Sequence, residues 1–227
     1  MGSMQQFLWV IFPYLMVTIF VVGHFYRYNS DQLAWTAKSS EFLEKKSLKW
    51  GSMLFHVGVM MVFAGHVVGL LIPNTMMESM GVSESLYHAG AVYGGGLAGI
   101  ITLVGILILL NRRFTNKRVR STSDSSDFVT IILIFLIVAV GMYNTVIGNS
   151  LNPHFDYRET ISPWFRGLIT FTPDPFLMSE VPLGFQLHVL LSFALIGIWP
   201  FTRLVHVWSV PLNYFKRSYI LYRRRAS

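Results

Sequence analysis

The stretch GSMLFHVGVMMVFAGHVVGLLI, residues 51–72, is long and apolar enough to cross a bilayer as one helix, yet it carries two histidines, His56 and His66. A second apolar run, beginning at Leu183, carries two more, His188 and His206. An imidazole surrounded by hydrocarbon needs partners for its ring nitrogens, because an unsatisfied polar group is costly there. Two pairs on two helices therefore point to two bis-histidine metal centres.

The composition agrees that these are membrane histidines. Hydrophobic residues make up 53% of the 227-residue chain and charged residues only 13%, about half the charged fraction of a soluble domain. The mean hydropathy is +0.50. The expected class is an all-α integral membrane protein, one transmembrane domain over residues 1–227 with no sizeable soluble part. There is no cysteine, which excludes disulfides and thiolate ligation of zinc or iron–sulfur clusters. Any metal must be held by histidine or carboxylate.

Apolar runs predict five transmembrane helices, at about residues 6–26, 51–72, 88–110, 128–148 and 183–207. The opening Met-Gly-Ser-Met, residues 1–4, lies ahead of the first apolar run and carries no fold signal. The first run is not a cleavable signal peptide, since it lacks a basic start and a small-residue cleavage site. Arg27, Lys38, Lys45, Lys46 and Lys49 fall in the first loop, and Arg112, Arg113, Lys117, Arg118 and Arg120 in the third. The second loop, residues 73–87, has no lysine or arginine, and the fourth, 149–182, has only Arg158 and Arg166 against four acids. The tail, 211–227, is basic again. By the positive-inside rule the N-terminus lies outside and the tail is cytoplasmic. The net charge of +7 thus gathers on one face, as lipid attraction or partner docking would require.

This topology places His56 and His206 near the inner side and His66 and His188 near the outer side. Ten residues separate His56 from His66, about 15 Å of helical rise, against eighteen, about 27 Å, between His188 and His206. Pairing at both levels requires the fifth helix to bend or break near Pro200. Two centres wide enough for a macrocycle are best explained by two haems b. Gly51, Gly58, Gly65 and Gly69 line one side of the second helix, either as clearance for a cofactor or as a seam for helix packing.

Several segments carry a resemblance. Arg27-Tyr28, Trp35-Thr36-Ala37-Lys38-Ser39-Ser40, Phe55-His56-Val57-Gly58, Gly65-His66-Val67-Val68-Gly69 and Phe201-Thr202-Arg203-Leu204-Val205-His206-Val207-Trp208-Ser209-Val210-Pro211 resemble the cytochrome b (gamma) subunit of respiratory nitrate reductase. The resemblance covers nearly the whole chain. It implies that His56 and His206 are the axial ligands of a proximal haem b near the cytoplasm, and His66 and His188 those of a distal haem b near the outer face. It also implies a prokaryotic cell-membrane protein that oxidises a quinol, menaquinol or ubiquinol, near the distal haem. Electrons would leave through a cytoplasmic iron–sulfur subunit to a molybdenum subunit that reduces nitrate.

In some members of that family a lysine stands just before the third helix. Here the stretch is Glu84-Ser85-Leu86-Tyr87-His88, so His88, with Gly65 and His66, becomes the candidate quinol contact; an interfacial histidine at a helix start is the plain alternative. Arg203, within the matching motif, is a candidate partner for a haem propionate, and Arg112 and Arg113 are weaker ones. Membrane anchoring accounts for all three equally well. His24 reads as interfacial or structural and His154 as a loop residue. Residues 161–171 could form a short helix in the outer loop, capping the distal site or merely connecting helices. The segment 213–222 reads as a helix lying on the membrane or a partner. Two other functions stay open: a dihaem subunit of a related sulfite or heterodisulfide reductase, and a haem-free membrane anchor or assembly protein. Such relatives usually differ in length and span number.

Overall fold

A computed structural model describes residues 2–30, 35, 40–152 and 155–209. His154, Lys38, most of the segment 31–39 and the basic tail 211–227, with its expected surface helix at 213–222, lie outside the described residues. The regular structure among the described residues is all helix, joined by short loops, without strands. Five helices are long and apolar enough to span a bilayer: α1 (Gly2–Ser30), α2 (Lys46–Leu71), α3 (Glu84–Thr115), α4 (Ser125–Gly148) and α5 (Leu183–Phe201). Large apolar side chains such as Phe63, Leu97 and Val129 project from the bundle, as hydrocarbon rather than water requires.

Most helices outrun the apolar stretches that announce them, because their ends are capped in polar surroundings. The Ser83 side chain accepts from Leu86 N–H at the start of α3, and Asp127 accepts from Asp124 N–H at the start of α4. α1 begins at Gly2, ahead of the predicted start, and includes a wide π turn at Phe7–Ile11. Pro13 has no N–H to offer the Trp9 carbonyl one turn back, and the Trp164 indole N–H supplies the missing bond at 2.8 Å.

The helices pack in the spatial order α2, α3, α4, α5, α1, and among the described residues α2 and α5 share no extensive seam. Small residues bring α2 and α3 together. A Cβ on Gly58 would stand 2.6 Å from Thr102 N, and one on Gly105 would stand 2.7 Å from Phe55 Cα. Gly51 is closed off by Ile108 and Leu109, and Gly69 by the hydroxyls of Tyr157 and Tyr87. The glycine face of α2 is therefore mainly a packing seam, and only Gly65 opens onto free space.

The predicted 183–207 helix is not continuous. α5 is α-helical to Ile198, tightens into a 3-10 turn at Trp199–Phe201, becomes extended at Thr202 and resumes as a 3-10 turn over Arg203–Ser209. Pro200 is the cause on α5, and α1 accommodates it: a Cβ on Gly23 would lie 2.9 Å from the Pro200 ring. Arg27 Nη1 donates to the Pro200 carbonyl at 2.6 Å and to the Thr202 carbonyl at 2.8 Å. The Thr202 hydroxyl accepts from Leu204 N–H at 3.1 Å and so caps the turn that follows.

The helix expected in the loop between α4 and α5, Ile161–Ile169, ends two residues before the expected limit. It docks on α1 and on the end of α2, where Ser162 Oγ donates to the Gly69 carbonyl (2.9 Å) and Arg166 to the Leu70 carbonyl (3.1 Å). These carbonyls lie in the last turn of α2 and lack helical partners, so the loop helix is a cap for α2.

Candidate functional site

His66 stands opposite His188 across the gap between α2 and α5, and the break in α5 brings His206 opposite His56. The His56 and His206 ring centres are 6.2 Å apart with their planes at 71°, and the His66 and His188 centres are 6.0 Å apart with their planes at 24°. His56 and His66 are exposed from the chain, whereas His188 and His206 are half-buried.

All four rings are oriented in the same chemical sense. Nδ1 of His56 lies 2.7 Å from the Ser52 carbonyl, that of His66 2.8 Å from Val62, that of His188 3.0 Å from Ile137 and that of His206 2.6 Å from Arg203. A carbonyl oxygen only accepts, so Nδ1 carries the proton in each ring. In the neutral form of each ring Nε2 is then the lone-pair nitrogen, the one available to ligate. Among the described residues no three His, Asp or Glu side chains converge as a bare ion would need.

A charged cluster stands beside the His56–His206 level. Asp127 accepts from Arg203 Nε (2.6 Å) and Nη2 (2.8 Å), and Arg113 Nη1 lies 2.9 Å from the same carboxylate. Arg203 thus holds His206 through its carbonyl while Asp127 holds its guanidinium. Arg112 is spent elsewhere, on Glu44 Oε2 (2.8 Å) and the Ser40 carbonyl (2.8 Å). Backbone N–H donation from Ser47, with smaller help from the Arg112 guanidinium and Leu48 N–H, keeps the Glu44 carboxyl below the usual carboxylate range against the opposing effect of burial. Of the three arginines weighed for a propionate, each has a protein partner.

At the other level, near His66, Gly65 meets open space and His88 is exposed. The inward residue of that stretch is its neighbour, Tyr87. Its hydroxyl lies 2.7 Å from that of Tyr157 against Gly69, and the Arg158 guanidinium lies over its ring at 4.2 Å. Burial and the bond to Tyr87 push the Tyr157 hydroxyl far above its ordinary pKa. Arg158 also pairs with Glu84 and with Asp156 (2.9 Å).

His24 is no part of either pair. Its Nδ1 donates to the Phe20 carbonyl at 2.6 Å and its ring packs among Phe20, Trp35 and Trp208, with Nε2 buried. Nothing in the local sequence marks Tyr157, while Arg27 and Tyr87 stand in it only as a loop cation and as the neighbour of His88. The lone acid at the start of an otherwise apolar run was the available sign for Asp127, since arginines end the preceding helix.

Sequence comparison matches residues 5–225 to the family described as nitrate reductase gamma subunit. The chain belongs to the nitrate reductase gamma subunit family. It is 49% identical over 221 residues to the nitrate reductase gamma chain of Bacillus subtilis, covering 97% of this chain and 99% of that one. Identity to the respiratory nitrate reductase 2 gamma chain of Escherichia coli is 34% over 223 residues, 98% of each chain. A nitrate reductase-like protein, NarX, of Mycobacterium tuberculosis is 40% identical over 223 residues, which span 98% of this chain and 34% of that protein. As a gamma-family member, the protein is a membrane subunit of nitrate reductase, an oxidoreductase complex whose catalytic partner subunits are separate from it.

Proposed function

We propose that the protein binds two haems b between α2 and α5 and passes electrons from a membrane quinol toward nitrate reduction on a partner chain. The two facing pairs of Nδ1-anchored histidines carry this reading. A metal–imidazole bond of about 2.0 Å on each side, plus about 1.1 Å from each nitrogen to its ring centre, separates coaxial rings by about 6.2 Å. The observed spacings, 6.2 and 6.0 Å, fit that geometry. Two imidazoles alone are too few for a metal ion, so each pair needs a group that brings its own equatorial donors, as a porphyrin does.

His56 and His206 would hold the inner haem, and His66 and His188 the outer one. Bound haem would supply one-electron iron chemistry at two depths, a relay between a two-electron quinol and a partner's iron–sulfur centres. The chain itself would bind and orient. The four carbonyl acceptors fix each ligand tautomer and raise its basicity. Gly65 leaves room beside His66 for a quinol head, and His88 stands at the same end as a polar contact. The basic end, with Lys46, Lys49, Arg118 and Arg120, would face the cytoplasm and receive the iron–sulfur and molybdenum subunits.

A reduced-minus-oxidised absorption spectrum of the chain co-produced with its partners tests the reading. The expected result is a haem b band equivalent to two haems per chain, bleached on adding nitrate after quinol reduction. An assembled complex without that band would leave a haem-free anchor and overturn the proposal.

A further inference from the structure

The four histidines are not held alike. His56, His66 and His206 each use a carbonyl three or four residues back in their own chain, whereas His188 of α5 reaches across to the Ile137 carbonyl of α4 at 3.0 Å. α4 is regular α-helix through Tyr143, so the Ile137 carbonyl is also the helical acceptor of Gly141 N–H. A second donor must then enter from the side, over the place where a side chain at position 141 would stand. A Cβ on Gly141 would lie 2.9 Å from His188 Cε1 and 3.3 Å from His188 Nδ1. The next turn repeats the close crossing: a Cβ on Gly184, one turn before His188, would lie 3.4 Å from Asn144 Cγ.

We infer that Gly141 is a positioning residue: with the Ile137 carbonyl it forms a socket on α4 that sets the ring plane and tautomer of His188, and through His188 the electronic character of the outer haem alone. This rests on His188 being an axial ligand of that haem. A carbonyl accepting Nδ1–H makes Nε2 the stronger donor and favours ferric iron. The angle between two axial imidazole planes governs how nearly degenerate the iron π-type d orbitals are. That angle is 24° at the His66–His188 pair and 71° at the His56–His206 pair, where each ring bonds to a carbonyl of its own segment.

The test is Gly141→Ala in the assembled complex, followed by haem content, a redox titration and low-temperature electron paramagnetic resonance of the oxidised protein. The outer signal should change its g anisotropy and the outer potential should move upward, or the outer haem should be lost, while the inner haem keeps both signatures. Gly148→Ala, where the added Cβ would meet nothing closer than 3.5 Å, should leave both haems unchanged. Two bound haems with an unaltered outer signal and potential would overturn the inference. So would equal disturbance of both haems, which would make Gly141 a general packing residue. Absence of haem b from the wild-type complex would overturn the inference together with the function it rests on.

Discussion

Arg27 of α1 bridges the two sides of the break in α5, donating to the Pro200 carbonyl at 2.6 Å and to the Thr202 carbonyl at 2.8 Å. The break is what turns the chain so that His206 meets His56. Without it, an eighteen-residue separation on one helix would face a ten-residue separation on the other. Arg27→Ala removes two charge-assisted bonds and is expected to cost about 2–4 kcal/mol. If the two haems are held as proposed, haem quantitation should show the one between His56 and His206 lost before the other; equal loss would mean that Arg27 braces the bundle as a whole.

Asp127 should be the most damaging polar position. Its carboxylate, with 6% of its side chain exposed, pairs with both Arg113 and Arg203. Asp127→Ala leaves two guanidinium groups without their anion, a change worth about 3–5 kcal/mol for a buried pair. Thermal unfolding in detergent measures this, and Asp127→Asn should fall between the variant and wild type.

Gly58 and Gly65 lie one heptad apart on α2 and should respond differently to an added methyl group. A Cβ on Gly58 runs into the Thr102 backbone, while one on Gly65 meets nothing within 4 Å. Gly58→Ala is expected to separate α2 from α3 and cost about 1–3 kcal/mol through overpacking. Gly65→Ala should leave the unfolding temperature near that of wild type.

The clamp of residues 40–44 onto α3 should loosen in acid. The Glu44 pKa is depressed in the folded chain, so its contribution is complete above the ordinary carboxylate range and is lost as pH falls through the folded value. Limited proteolysis of this loop between about pH 6 and about pH 3 should show rising cleavage. Glu44→Gln should be cleaved readily at both ends of that range.

Tyr157→Phe removes the 2.7 Å bond to Tyr87 and should cost about 1 kcal/mol, read by thermal unfolding. Because the Tyr157 hydroxyl stays protonated well above its ordinary range, its contribution is present at neutral pH and is lost only in strong alkali.

Hydropathy alone placed the five helices, because a bilayer demands long apolar stretches, and it understated their ends, because caps such as Ser83 and Asp127 lie in polar sequence. Pro200 announced the break and the length mismatch required it. The glycines of α2 were ambiguous for a physical reason: periodicity shows that Gly51, Gly58 and Gly65 share a face, not which neighbour that face meets. The Asp127 pairings, the Tyr87–Tyr157 contact and the reach of His188 to Ile137 depend on how helices distant in sequence cross. No local pattern encodes them.

Haem content in four single variants tests the central claim most directly. His56→Ala and His206→Ala should each remove the same one of two spectroscopically distinct haems b, and His66→Ala and His188→Ala should each remove the other. Loss of one and the same haem from His56→Ala and His66→Ala, or two haems retained in any of the four, would contradict it.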